Sequence, residues 1–243
     1  MQQSRSGFVW PLVLALPALL ILLGLGTWQM QRKAWKEDLI AKIEARVHAP
    51  PVPLAEIEKL SNDGIEYARV SVRGTFRHGS EQLVWEPDPQ QGPGYHVYTP
   101  LQLSDGRFIM VNRGYVTEAL RSPSARPAGQ RAGDVGVVGL LREPPRRSLF
   151  NPNHDSKTNV WFWRDFDGMS RAALGADAGK AVHLFLDAEA EPANPGGWPQ
   201  GGRTRLTLPN RHLEYALTWY GLAATLVAVL IAFLISRART RPS

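Results

Sequence analysis

"PNRHLEYALTWYGLAATLVAVLIAFLIS", residues 209–236, decides how this chain is read. From 215 to 236 it carries no charged side chain, and a helix of about 20 apolar residues crosses the hydrocarbon core of a bilayer. The stretch is therefore a membrane span. Its opening holds two tyrosines and a tryptophan, which suit a membrane–water interface. Asn210 is a candidate N-cap, and Glu214 falls in the first turn, where the helix dipole favours an anion. His212 has no such ready explanation.

Working outward, residues 7–31, "GFVWPLVLALPALLILLGLGTWQMQ", form a second uncharged run long enough to span. Trp10 and Trp28 stand near its ends like an aromatic belt, and a membrane helix tolerates Pro11 and Pro17. A cleaved signal peptide is the alternative, but the run exceeds the usual apolar core and lacks an AxA site. Two spans thus flank one large polar middle region. Both ends of the chain then lie on one side. Basic residues after the first span (Arg32, Lys33, Lys36, Lys42) and before the second (Arg203, Arg205, Arg211) balance those at 237, 239 and 241, so the positive-inside count leaves orientation open.

The 243 residues allow one medium domain besides these spans. The 28 basic and 22 acidic side chains are dispersed, which argues against nucleic acid and for membrane lipid as the partner of the net positive charge. The absence of cysteine excludes disulfides, thiolate metal sites and cysteine nucleophiles.

Residues 29–46 continue the first span as a helix, with Trp35, Leu39, Ile43 and Val47 at steps of four. The prolines of "HAPPVPL" end it. Strands follow. In "YARVSVRGTF", Val70, Val72 and Phe76 face one way and Arg69, Ser71 and Arg73 the other; "YHVYTPLQL" alternates through Tyr95, Val97, Leu101 and Leu103. Asp105-Gly106 signals a hairpin into "RFIMVNRGYV". Further strands are expected at 82–86, 134–142, 159–164 and 183–187, and a short helix at "RDFDGMSRAALG" ending on Gly175. Residues 121–133 and 189–202 read as loops. The fold class is a membrane α+β protein: two transmembrane helices around a mainly antiparallel β domain, barrel-like or a curved sheet.

No nucleophile elbow, zincin motif, P-loop or metal-spaced histidine pair is present, so no catalytic residue is assigned. His154 beside Asp155 sits in a polar loop, a hydrolase site only at a stretch, and Glu86 with Asp88 reads as a turn. Arg113, between Asn112 and Gly114 at a strand end, can clamp a carboxylate through its fork; structural pairing beside a glycine bulge is the plainer reading.

His212 admits two readings. At 100° per residue it shares a face with Tyr215, Ala216, Trp219 and Ala223. The positive dipole end disfavours imidazolium, and neutral imidazole is the form that ligates metal. The alanines leave room and an aromatic can flank a flat apolar ring, so His212 can serve as an axial haem ligand at the membrane lip. The plainer alternative places His212 among headgroups and the alanines against the first span.

Several blocks, in order, resemble the surfeit locus protein 1 family of cytochrome c oxidase assembly factors. These are "LGLGTWQMQRKAWKEDLI" (23–40), "VRGTF", "YHVYTPLQL", "GRFIMVNRGYV", "GLLREPP", "FNPNHD…NVWFWRD" and "PNRHLEYALTWYGLA". One departure is Tyr115, where the family usually has Trp. The resemblance covers nearly the whole chain, including its two-span plan. It implies a non-enzymatic factor that aids delivery of haem a to the oxidase catalytic subunit, with haem a synthase as a further candidate partner. A scaffold that grips an assembly intermediate without haem is the alternative.

By the same resemblance His212 is the candidate haem ligand, and helix geometry adds Tyr215 and Trp219. Trp28, Gln29, Arg32, Trp35 and Lys36 match the first block, and Asn112, Arg113 and Gly114 the middle one, without an assigned role. The expected organisation is a short cytoplasmic segment (1–7), a first span (8–28), a membrane-proximal helix (29–47), an extracytoplasmic domain (48–209), a second span (210–236) and a basic cytoplasmic tail (237–243). With no Arg/Ser-rich transit segment before the first span, a bacterial inner membrane with a periplasmic domain is expected.

Overall fold

The computed structural model describes residues 6–59, 65–149, 151–152, 154, 158–204, 206 and 208–239. The chain divides into two units, one of Ile43–Leu206 and one joining Met1–Lys42 to Thr207–Ser243.

The first unit is built on a mixed sheet that closes into a small barrel. Its elements are β1 (Val52–Pro53), α2 (Leu54–Ile57), β2 (Arg69–Phe76), β3 (Gln82–Trp85), β4 (Gly94–Leu103), β5 (Phe108–Thr117), β6 (Asp134–Arg142), β7 (Val160–Trp161), α3 (Phe166–Leu174) and β8 (Ala181–Ala188). The sheet order is β1-β2-β6-β8-β5-β4-β3-β7, and a further β2–β4 pairing joins β2, β6, β8, β5 and β4 into a ring. Closure removes the unpaired edges that an open sheet leaves.

The period-2 pattern of β2 is realised: Val70, Val72 and Phe76 are buried, while Arg73 and Thr75 are exposed. They join Leu101, Ile109, Val111, Leu141 and Leu186 in the main core. The β4–β5 hairpin turns at Asp105-Gly106, where Gly106 adopts φ +84° and the Asp105 carboxylate accepts the Arg107 amide at 3.0 Å. The short helix runs over Phe166–Leu174, with Asp165 accepting from the Gly168 amide and Gly175 ending it at φ +55°.

Two expectations change. β4 and β5 are buried on both faces rather than alternating in and out, because α3 and β7 cover the outer face. Met110 and Phe185 pack there with Trp161, Phe166 and Met169. The strand expected at 159–164 shrinks to Val160–Trp161, since Asn159 takes φ +53° and the chain turns at Trp163–Asp165 to enter α3. The sheet is mainly antiparallel as expected, with β5–β8 a parallel pair whose second strand follows α3.

In the second unit, α1 runs unbroken over Ser6–Val47 and α4 over His212–Arg239; only part of α1 belongs to this unit. Both are long and apolar enough to cross a membrane. Leu14, Leu20, Ile21, Leu217, Val229 and Ile231 stand exposed along them, an apolar surface that lipid accommodates and water does not. The helices pair antiparallel: Leu12, Ala15 and Leu19 share one cleft with Leu226 and Leu230, and Gly26 lies under the ring of Tyr220. On α4 the covered positions include 216, 219, 223, 226, 230 and 233, at the alternating steps of three and four of a coiled-coil seam, with 212, 220 and 234 half-buried beside them.

Candidate functional site

The site grows from the end of this helix pair where Gly26 meets Tyr220. Gly26 has no side chain because a Cβ there would meet Tyr220 Cε1 at 2.6 Å. Small residues let membrane helices approach closely. Thr27 donates its hydroxyl proton to the Leu23 carbonyl at 2.9 Å. Its oxygen lies 3.2 Å from the Tyr220 hydroxyl, so Tyr220 is the donor of that bond. Gln29, a turn further along, places Oε1 at 2.7 Å from Nδ1 of His212, across 183 residues of sequence. An amide oxygen only accepts, so this contact is a hydrogen bond in the Nδ1–H tautomer of His212. Nε2 of His212 has no hydrogen-bond partner among the described residues.

Around His212, Tyr215 is 53 % exposed, whereas Ala216 and Ala223 are 0 % and 3 % exposed. The alanine stripe is thus covered, while Tyr215 on the same face stands open and His212 is half-buried. Trp219 is half-buried. Asn210 does not cap the helix: its Oδ1 is buried without a partner among the described residues. The first helical amide bond runs from Tyr215 to the Arg211 carbonyl, and Glu214 turns to Arg211, Oε2 to Nη2 at 3.0 Å. An imidazole with one nitrogen held and the other unengaged, beside exposed aromatic and apolar surface, fits one axial bond to a haem iron.

The other residues of the first block have different surroundings. Trp28 and Trp35 are exposed, Arg32 lies 4.3 Å over the Trp35 ring, and Lys36 is half-buried.

The Asn112–Gly114 block belongs to the β domain's interior. Arg113, 1 % exposed, donates to Glu81 Oε1 at 3.1 Å and to the Gly129 carbonyl, while Arg126 grips Glu81 Oε2 at 2.5 Å. Burial alone raises Glu81, but hydrogen bonds from His78 and Arg126 and the charges of Arg126 and Arg113 outweigh it and hold it at about 2. Burial pushes Arg113 down to about 10, against the pull of Glu81. Arg113 is therefore a structural ion-pair partner: both terminal nitrogens are engaged, while its buried Nε has no partner among the described residues. Asn112 donates to Asp187 at 3.0 Å and accepts the Gly114 amide at 3.1 Å. Gly114, at φ +118°, sits where a Cβ would fall 1.9 Å from the Gln200 carbonyl oxygen.

His154 stacks on Trp161 at 4.1 Å, 13° from parallel; Asp155 lies outside the described residues. Asp88 accepts the Gln90 and Gln91 amides and pairs with Arg203, so it anchors a turn. Among the described residues no group of three or more His, Cys, Asp or Glu side chains could hold a metal ion. Sequence reasoning missed Glu81, His78 and Arg126 as a cluster, and Tyr220 and Thr27 as helix partners. None of them carries a local signal, because each acquires its role from a residue distant in sequence.

Fold and helix pair together define a two-pass membrane protein with a small β-barrel domain between its spans. A family profile described as the SURF1 family matches residues 16–224. The chain is 42 % identical over 218 residues to "Surfeit locus protein 1" of Mus musculus, covering 83 % of this chain and 68 % of that protein. It is 41 % identical over 219 residues to "Surfeit locus protein 1" of Homo sapiens, at 83 % and 70 %. A "SURF1-like protein" of Monosiga brevicollis is 37 % identical over 237 residues, at 93 % and 87 %. The chain belongs to the SURF1 family.

Proposed function

We propose that this protein is a non-enzymatic assembly factor of cytochrome c oxidase that takes haem a into transient custody and passes it to the oxidase catalytic subunit. Family membership supports the role in oxidase assembly. The observation that carries the haem reading is an imidazole at the first residue of the 28-residue apolar helix α4, inside one of the matched family blocks. His212 offers the axial bond, and Tyr215, with Trp219 a turn further on, flanks the cargo's ring. The apolar macrocycle stays in lipid while iron is held at the edge.

Transfer requires that a stronger histidine site in the oxidase outcompete His212, so custody must be of modest affinity. Haem a synthase is the natural donor and the catalytic subunit the acceptor. In this reading the barrel domain (48–209) is periplasmic, residues 8–28 and 210–236 span a bacterial inner membrane, 29–47 form the membrane-proximal helix, and the flanking segments 1–7 and 237–243 are cytoplasmic. Reporter fusions at the two ends and in the β domain read that orientation.

The deciding experiment is the absorption spectrum of detergent-purified wild type and His212→Ala from cells making haem a. A haem a spectrum in the first, lost in a folded second, supports custody. Equal spectra move the ligand elsewhere.

A scaffold without haem is the second reading, favoured by one observation. Trp85 and Phe162, which follow the paired residues Val84 and Trp161, are 44 % and 45 % exposed on the β domain. Replacing both with Ser abolishes oxidase maturation under the scaffold reading, while His212→Ala leaves it intact.

A further inference from the structure

The two nitrogens of His212 have different surroundings, and the difference is imposed by another helix. Nδ1 lies 2.7 Å from Gln29 Oε1. The amide oxygen has no proton to give, so the ring donates from Nδ1 and, when neutral, keeps its lone pair on Nε2. Among the described residues nothing engages Nε2. Gln29 is half-buried on α1, and its neighbours Gly26 and Thr27 lock that stretch to Tyr220. The acceptor is therefore held in place by helix packing rather than by chance contact.

We propose that Gln29 is a positioning residue that fixes His212 in the Nδ1–H tautomer and aims Nε2 as the metal-binding lone pair. The second half of this proposal rests on the haem reading above. Ligating histidines commonly donate their other ring N–H to an oxygen, which sets tautomer, orientation and basicity. The chemistry of this acceptor also suits custody. A carboxylate at this place pulls harder on the Nδ1 proton, makes Nε2 more basic and tightens the bond to iron. A neutral amide orients the ring without that gain. Gln29 thus makes His212 competent to ligate while leaving the bond weak enough to yield to another histidine.

The test uses the full-length protein in detergent with Gln29→Met, which keeps length and removes the acceptor, and Gln29→Glu, which keeps an acceptor and adds charge. Nitrogen NMR of ¹⁵N-histidine apo-protein reads the tautomer directly. The wild type is expected as Nδ1–H, and Gln29→Met is expected to lose that form. Titration with haem a is expected to show binding weakened ~10- to 100-fold in Gln29→Met. In Gln29→Glu binding is restored or tightened, with the haem midpoint potential moved negative and transfer to the oxidase subunit slowed.

A wild-type His212 protonated on Nε2 overturns the proposal. So does unchanged haem affinity in Gln29→Met when His212→Ala has lost binding, an outcome that leaves the haem reading standing. If His212→Ala binds haem as the wild type does, the haem reading falls and takes the ligand-aiming half with it, while the NMR result still decides the tautomer.

Discussion

Gly26 and Tyr220 occupy one position in space: a Cβ on the first would stand 2.6 to 2.8 Å from three atoms of the second's ring. This close approach is what brings Gln29 within 2.7 Å of His212 at the end of the same helix pair. It gives a physical reason for each residue of the Gly-Thr-Trp-Gln block. Gly26 admits the ring, Thr27 meets its hydroxyl, Trp28 faces outward, and Gln29 holds the histidine.

Gly26→Leu is expected to force the helices apart, at a cost on the order of 1–3 kcal/mol, and Tyr220→Ala in the same chain to recover part of it. The chain has no cysteine of its own, so cysteines placed at Leu19 and Leu226, which line the same cleft, report the pairing by cross-linking. Cross-linking is expected in the wild-type background, to drop in Gly26→Leu and to return in the double variant. Unchanged yield in Gly26→Leu contradicts the packing described.

The Glu81 cluster makes a pH prediction. Glu81 is held at about 2 against an ordinary 4.5. A depressed carboxylate contributes stability that is present above its unfolded pKa and lost as pH falls through the folded one. The window is therefore pH 4.5 to 2. The shift corresponds to roughly 3 kcal/mol. Glu81→Gln, which leaves Arg113 and Arg126 without their counter-charge, is expected to destabilise the β domain by about that amount or more at pH 7. The gap to wild type narrows as pH falls through the window. Denaturant melts followed by tryptophan fluorescence read both.

Gly114→Ala meets two obstacles at once, a positive φ and the Gln200 carbonyl oxygen 1.9 Å from the new Cβ. A loss of about 3 kcal/mol or more is expected, seen as a melting temperature lower by about 10 °C. Gly79→Ala, with φ outside the positive range and open space around it, is the control expected to change little.

Asn112→Ala removes the acceptor of the Gly114 amide and a donor to Asp187. It is expected to cost about 1–3 kcal/mol through buried groups left unpaired. His212→Ala, outside this network, is expected to leave the β domain's melting unchanged. A fall in haem binding with an unaltered melt then separates site from scaffold.

Local physics was legible in the chain. The β2 alternation, the Asp105-Gly106 hairpin, the Gly175 helix end and both spans follow from periodicity, turn chemistry and hydrophobic length, which neighbouring residues settle among themselves. The Asn159–Arg164 region misled because its hydrophobicity is that of a layer under α3, not of a long strand. Arg113 admitted two roles until Glu81 and Gly129 were placed around it.

Two membrane-length helices around a β-rich domain follow from the order of residues alone, and so does the singling out of His212 as the residue the second span does not need. The closure of the barrel between β2 and β4, the internal place of the Asn112–Gly114 block and the pairing of Gln29 with His212 emerge in three dimensions. Ring closure, buried ion pairs and the choice of imidazole tautomer each depend on atoms brought together from far along the chain. Gln29 and His212 stand 183 residues apart, and no local pattern encodes a meeting at that distance; helix packing at Gly26 and Tyr220 does.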